Sequence, residues 1–131
     1  MFVRTTEMQA DRAKLDDGIA VVRDDIFPAV SQMDGCVGMS LLLDRETGRC
    51  IATTAWRSEE AMQETASKVM ALRDRAQQAL SGSEAEVHQW EVVAVRRDHA
   101  APDGACARLT WLSGDPTTAD RAIDTYKMVV L

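Results

Sequence analysis

From Asp11 onward the apolar residues Leu15, Ile19, Val22 and Ile26 fall at spacings of four, three and four, while Asp16, Asp17, Arg23, Asp24 and Asp25 fill the positions between. That period predicts an amphipathic helix with one buried stripe. Pro28 lacks the N–H and the ring clearance that a helix interior needs, so a bend or a stop is expected there. Asp34 and Gly35 close the connection. Ahead of the helix, residues 2–8 alternate poorly but carry Phe2, Val3, Thr5 and Thr6, which suits a first strand.

Two further strands, CVGMSLLLD and RCIATTAW, flank the turn segment RETG, where Gly48 can take a positive φ. Val37, Met39, Leu41 and Leu43 are expected to share one face of the first of these. Cys36, Gly38, Ser40 and Leu42 on the other are also small or apolar, so neither face is built for water. Ser58 is a good N-cap, with Glu59 and Glu60 in the first turn of a second helix. Met62, Ala66, Val69, Arg73, Ala76 and Leu80 trace its stripe, and Gly82 suits its end. A last strand is expected over residues 87–97, with Trp90, Val92 and Ala94 on one face and Val93 and Val95 on the other.

The order βαββαβ over residues 1–97 is the ferredoxin-like arrangement of the α+β class, four antiparallel strands with two helices on one face. Two helices cover only one side of such a sheet. The second apolar face is expected to meet another sheet, which closes a barrel-like core by self-association.

Residues 98–104 lie in a polar linker that contains Pro102 and Gly104. Beyond it the pattern restarts. A shift of 104 positions lays residues 1–27 over 105–131 without a gap: Arg4 meets Arg108, Thr6 meets Thr110, Asp11 meets Asp115, Asp16 meets Asp120 and Ile19 meets Ile123. Val22, Ile26 and Phe27 fall over Tyr126, Val130 and Leu131. Residues 105–131 therefore read as the first strand and helix of a second module, apparently truncated, since a lone βα unit cannot bury its apolar side. The alternative is a C-terminal arm that docks on a neighbouring subunit. The partner that covers the sheet is accordingly a second copy of the chain or the missing second module.

Composition narrows the classes. At 131 residues and 14.4 kDa the chain supports one ordinary core, and 46% hydrophobic with 27% charged residues indicates a globular protein. A net charge of −6 and a pI near 4.8 argue against nucleic acid or anionic membranes as partners. Neither a secretory signal nor a membrane span is recognisable, so a cytoplasmic location is expected. Cys36, Cys50 and Cys106 lack metal-ligand spacing. In the hairpin Cys50 faces Leu43 and lies out of disulfide reach of Cys36, so reduced thiols are expected.

AWRSEEAM at the strand-to-helix junction, the DGCVG turn and WEVVAV in the last strand resemble the antibiotic biosynthesis monooxygenase-like family of dimeric α+β barrels. More narrowly, CVGMSLLLDRETGRCIATTAW and GACARLTWL look like an uncharacterised group of two-module actinobacterial proteins of that family associated with starvation. The resemblance implies oxygenase chemistry without a cofactor, in which an Asn on the first strand, a Trp and polar helix residues hold an aromatic substrate. Only the Trp has a counterpart, Trp56. The sequence contains no Asn, and Thr5 and Thr6 stand where the Asn would point; a hydroxyl lacks the amide's paired donor and acceptor. The haem-degrading branch of the family uses a second-helix His, and residues 58–81 contain none.

The candidate pocket is therefore Trp56, Thr5, Thr6, Met62 and Arg73. Trp56 reads either as a pocket wall or as a plug joining sheet to helix, the plug being preferred. Arg73 stands on an apolar stripe, where it holds an anionic or phenolate ligand or, as preferred, snorkels to a carboxylate. His88 and His99 read as surface residues, and the Asp24–Asp25 pair as part of a solvated helix face. No metal site and no bound cofactor are expected. The preferred reading is an oligomeric barrel module that takes a small apolar or aromatic ligand without established catalysis; the alternative is a cofactor-independent oxygenase of quinol-type substrates.

Overall fold

The structure is a computed structural model that describes residues 1–129. Val130 and Leu131, which the repeat places over Ile26 and Phe27, lie outside the described residues. The chain forms two compact units, Met1–Glu91 and a second from Val92 onward.

In the first unit β1 (Phe2–Gln9), β2 (Cys36–Leu43), β3 (Arg49–Trp56) and β4 (Glu86–Glu91) form one antiparallel sheet in the order β2-β3-β1-β4. The helices are α1 (Leu15–Val21), α2 (Phe27–Ser31), α3 (Glu59–Glu64) and α4 (Ala66–Leu80). This is the ferredoxin-like α+β architecture expected from the βαββαβ order. The hairpin register sets Leu43 opposite Cys50, and Gly48 adopts φ +82° in the turn. All three cysteines are free thiols.

Several local details depart from the sequence reading, each for a physical reason. Pro28 does not end the first helix. A π-helical turn at Val22–Ile26, sealed by the Phe27 N–H donating to the Val22 carbonyl, widens the backbone just before the proline. Helical structure then resumes through Ser31, whose hydroxyl donates to the Pro28 carbonyl. The second helix breaks at Thr65, whose hydroxyl donates to the Ala61 carbonyl at 2.8 Å. It ends on Ser81 in the left-handed region (φ 47°) rather than on Gly82. Gly82 serves close approach instead, since a Cβ there would meet Met8 Sδ at 2.8 Å.

A β-bulge between Cys36 and Gly38 turns Val37 out to solvent, 57% exposed, so Cys36 and not Val37 pairs on the face of Met39, Leu41 and Leu43. β4 is six residues long, starts one residue before the expected position and stops at Glu91, where its partner β1 begins at Phe2. With no further β1 backbone to pair, residues 92–97 cannot extend the ladder.

The core lies between the helices and the sheet. One cluster gathers Val22, Ile26, Val30, Trp56, Met62 and Val69; a second gathers Met8, Ala10, Leu15, Cys50 and Leu80. Ser58 caps α3 as expected, accepting from the Ala61 N–H at 3.1 Å.

In the second unit α5 (Ala119–Val129) follows a 3-10 turn at Pro116–Thr118. Asp115 caps that turn by accepting from the Thr117 N–H at 2.9 Å, with φ −70° and ψ 123°. Asp11, 104 positions earlier, caps Arg12–Lys14 in the same way at 2.9 Å, with φ −72° and ψ 121°. Among the described residues no strand forms at 105–112, because this unit offers no second strand to pair with it.

Candidate functional site

Strand alternation decides which side chains reach the helices. The register sets Arg4 opposite Thr54, Thr6 opposite Ala52 and Met8 opposite Cys50, with Met39 and Leu41 flanking on β2. These residues share the helix-facing side. Val3, Thr5, Glu7, Ile51, Thr53 and Ala55 occupy the other.

A cavity of about 60 Å³ lies between that sheet face and the helices. Val22, Ile26, Phe27, Val30, Val69 and Leu72 make its walls apolar, and Thr6, Thr54 and Arg73, also in the lining, add only a small polar surface. Its volume equals roughly the liquid share of two water molecules, well below the ~150 Å³ that encloses a benzene ring. Phe27, Leu72 and Arg73 are only partly buried, so a larger guest would be admitted by movement of these side chains.

The five expected pocket residues do not converge. Thr6 and Arg73 line the cavity. Thr5 points to the opposite face, where its hydroxyl accepts from Trp90 Nε1 at 2.9 Å. Trp56 is 0% exposed in the core, and its indole N–H donates to Thr54 Oγ1 at 3.0 Å. Met62 is buried beside it in the same cluster. Trp56 thus sits as the plug, and reaches the cavity only by engaging a lone pair of Thr54, which leaves the Thr54 proton free to donate elsewhere.

Two guanidinium groups give the site its electrostatic character. Arg4 is 3% exposed; one of its amino groups donates to the Met62 carbonyl at 2.9 Å, and the other, Nη1, is buried without a partner. The break at Thr65 presents that Met62 carbonyl to β1. Arg73 Nε is likewise buried and unpartnered. Burial pushes the pKa of Arg4 down, and the positive charge of Arg73 pushes it further in the same direction. Burial also lowers the pKa of Arg73, opposed by Asp74.

The contrast with the surface is sharp: Arg23, Arg45, Arg49 and Arg75 pair with Asp24, Asp16, Glu7 and Asp25 at 2.7 to 3.1 Å. No carboxylate pairs with Arg4 or Arg73 among the described residues. The preferred expectation for Arg73, a surface ion pair, is therefore corrected, and Arg73 takes the cavity-facing alternative. Arg4 was not among the expected pocket residues. Its signal was present as the residue that spoils the alternation of the first strand, a charge in phase with Thr6 and Met8.

The expected surface roles fit the remaining candidates. His88 is exposed with Nε2 2.9 Å from Glu86 Oε1, and Asp24 and Asp25 lie on the outer face of the helix. Among the described residues no group of three His, Cys, Asp or Glu side chains could hold a metal ion, and no helix is long and apolar enough to cross a membrane.

The family model for antibiotic biosynthesis monooxygenase matches residues 1–68. An uncharacterised protein of Mycobacterium tuberculosis strain H37Rv is 45% identical over 131 residues, which is 100% of this chain and 58% of the relative. A second uncharacterised protein of the same strain is 44% identical, with 55% of its length covered. The chain thus spans little more than half the length of these relatives.

Among solved structures, the haem degrader MhuD of Mycobacterium tuberculosis, with two haems bound in its active site, superposes with a TM-score of 0.60 at 20% identity. The match covers 74% of this chain and 100% of that one. A monooxygenase from Streptomyces coelicolor in complex with nanaomycin D gives a TM-score of 0.55 at 15% identity, covering 78% and 92%. At these identities the likeness is one of fold.

Proposed function

The chain belongs to the antibiotic biosynthesis monooxygenase family, and from that premise we propose that it is a self-associating binding module that holds a small apolar or aromatic ligand between its helices and its sheet. The observation that carries this reading is the cavity itself: apolar walls from three helical segments, with Thr6, Thr54 and Arg73 among its lining residues. Self-association is supported by the sheet face that the helices do not cover, where the partly or largely exposed Val3, Leu42, Ala55 and Trp90 stand. A second copy of the chain or a second module would supply the covering sheet. The recurrence of the Asp11 cap at Asp115 supports the tandem arrangement, with residues 1–97 as one module, 98–104 as linker and 105–131 as the start of another.

The oxygenase alternative draws less support, because its residue set is split. Trp56 is sealed in the core and Thr5 faces away, which leaves Thr6 and Arg73 alone at the cavity. Oxygen uptake with a panel of hydroquinones is expected to stay at buffer level; sustained uptake that is lost in Trp56→Phe would restore the oxygenase reading.

Binding is tested by filling the cavity. Ala76 lines it from α4, and Ala76→Leu is expected to reduce the binding of neutral aromatics at least tenfold, measured by calorimetry, while the fold is retained by circular dichroism. Undiminished binding in that variant would place any ligand elsewhere.

A further inference from the structure

We propose that the cavity is selective for acids: its ligand is an apolar carboxylate whose charged head is held at the Arg73 guanidinium. This rests on the ligand-binding reading above and narrows it to a chemical class.

Both arginines lack acceptors for part of their guanidinium groups. A buried cation persists in a folded protein when a carboxylate, a set of carbonyls or a bound anion compensates it. Arg4 has one carbonyl, that of Met62, and a buried Nη1 with no acceptor; Arg73 has a buried Nε with none. The two charges are near enough to act on each other. The surface arginines of the same unit find carboxylates readily, so acids are not scarce in this chain, which carries 21 Asp and Glu against 15 Lys and Arg. Arg73 feels the charge of Asp74 but forms no ion pair with it, and its unpartnered Nε at the cavity wall is left for an acid from outside.

The ligand's remaining character follows from the walls. A guanidinium presents its donors in a planar fork that matches the two oxygens of a carboxylate. Around it stand Val22, Ile26, Phe27, Val69 and Leu72, surfaces that gain nothing from a fully hydrated anion and favour an acid with an apolar body. The hydroxyls of Thr6 and Thr54 lie on the sheet side, and Thr54, which accepts from the Trp56 indole, retains its proton to donate to an oxygen of the guest. The 60 Å³ of free space accommodates a carboxylate and its first carbons; a ring displaces the partly exposed Phe27 and Leu72.

The test compares three probes on the full chain by calorimetry and thermal shift: benzoate, its neutral isostere benzamide, and inorganic phosphate. Benzoate is expected to bind at least tenfold more tightly than either of the others. Arg73→Gln is expected to reduce benzoate binding at least tenfold and leave benzamide unchanged.

Equal affinity for benzoate and benzamide overturns the acid selectivity while leaving the ligand-binding reading standing. Phosphate as tight as benzoate overturns the apolar body. Full benzoate binding in Arg73→Gln overturns the assignment of the head group, and no binding of any probe overturns both readings.

Discussion

At the scale of single residues, the site is defined by charges that stay uncompensated. Arg4 would be more at ease as a methionine in the protein without ligand, since replacing a poorly compensated buried charge by an apolar side chain of similar length commonly gains stability. Arg4→Met is therefore expected to raise unfolding stability by roughly 1 kcal/mol in denaturant titrations, whereas a functionless surface arginine would give no change. Such a gain identifies Arg4 as a residue kept for something other than folding. The sequence exposed half of this. Arg73 stood out because helical periodicity put a cation on an apolar stripe. Arg4 stayed hidden because the phase of β1 becomes clear only once its register with β3 is known, and the same ambiguity put Thr5 and Thr6 together although a strand must separate them.

At the scale of elements, the helices are placed by small residues where backbones approach. Gly18 in α1 packs on the end of α4, and a Cβ there would lie 2.6 Å from Leu80 Cγ and 3.4 Å from Leu80 Cα. Leu80 is fully buried and has little room to yield. Gly18→Ala gains about 1 kcal/mol of helix propensity and loses more to overpacking, so a net destabilisation of about 1 to 2 kcal/mol is expected by chemical denaturation. A stabilised variant would show that the two helices can part without cost.

The elements themselves were legible in the sequence wherever periodicity and capping agreed, as at Ser58 and in the RETG turn. They were less so where the backbone adapts. The π turn before Pro28, the bulge that expels Val37 and the left-handed Ser81 all answer to tertiary packing, which no local pattern encodes. β4 ended early for the same reason: its length is set by how much of β1 remains to pair with, a property of the partner strand.

At the scale of the whole molecule, the bare sheet face and the helix-side cavity are consequences of one topology. The helices shield one side of the sheet and not the other, which is the face proposed to meet a partner. Sedimentation equilibrium is expected to show a concentration-dependent dimer or larger assembly, and Ala55→Glu, a charge on the bare face of the central strand β3, is expected to weaken it at least tenfold while secondary structure is retained. A monomer at all accessible concentrations would leave that face without its proposed cover.

The cavity on the other side can be interrogated at the atom that defines it. Nitrogen-15 spectra of the arginine Nε–Hε groups, recorded while benzoate is titrated into the protein, observe the unpartnered Arg73 Nε directly. The account predicts a saturable displacement of the Arg73 resonance that benzamide does not reproduce and that leaves the paired Arg75 unmoved. An Arg73 resonance that stays in place while benzoate is bound elsewhere would contradict it.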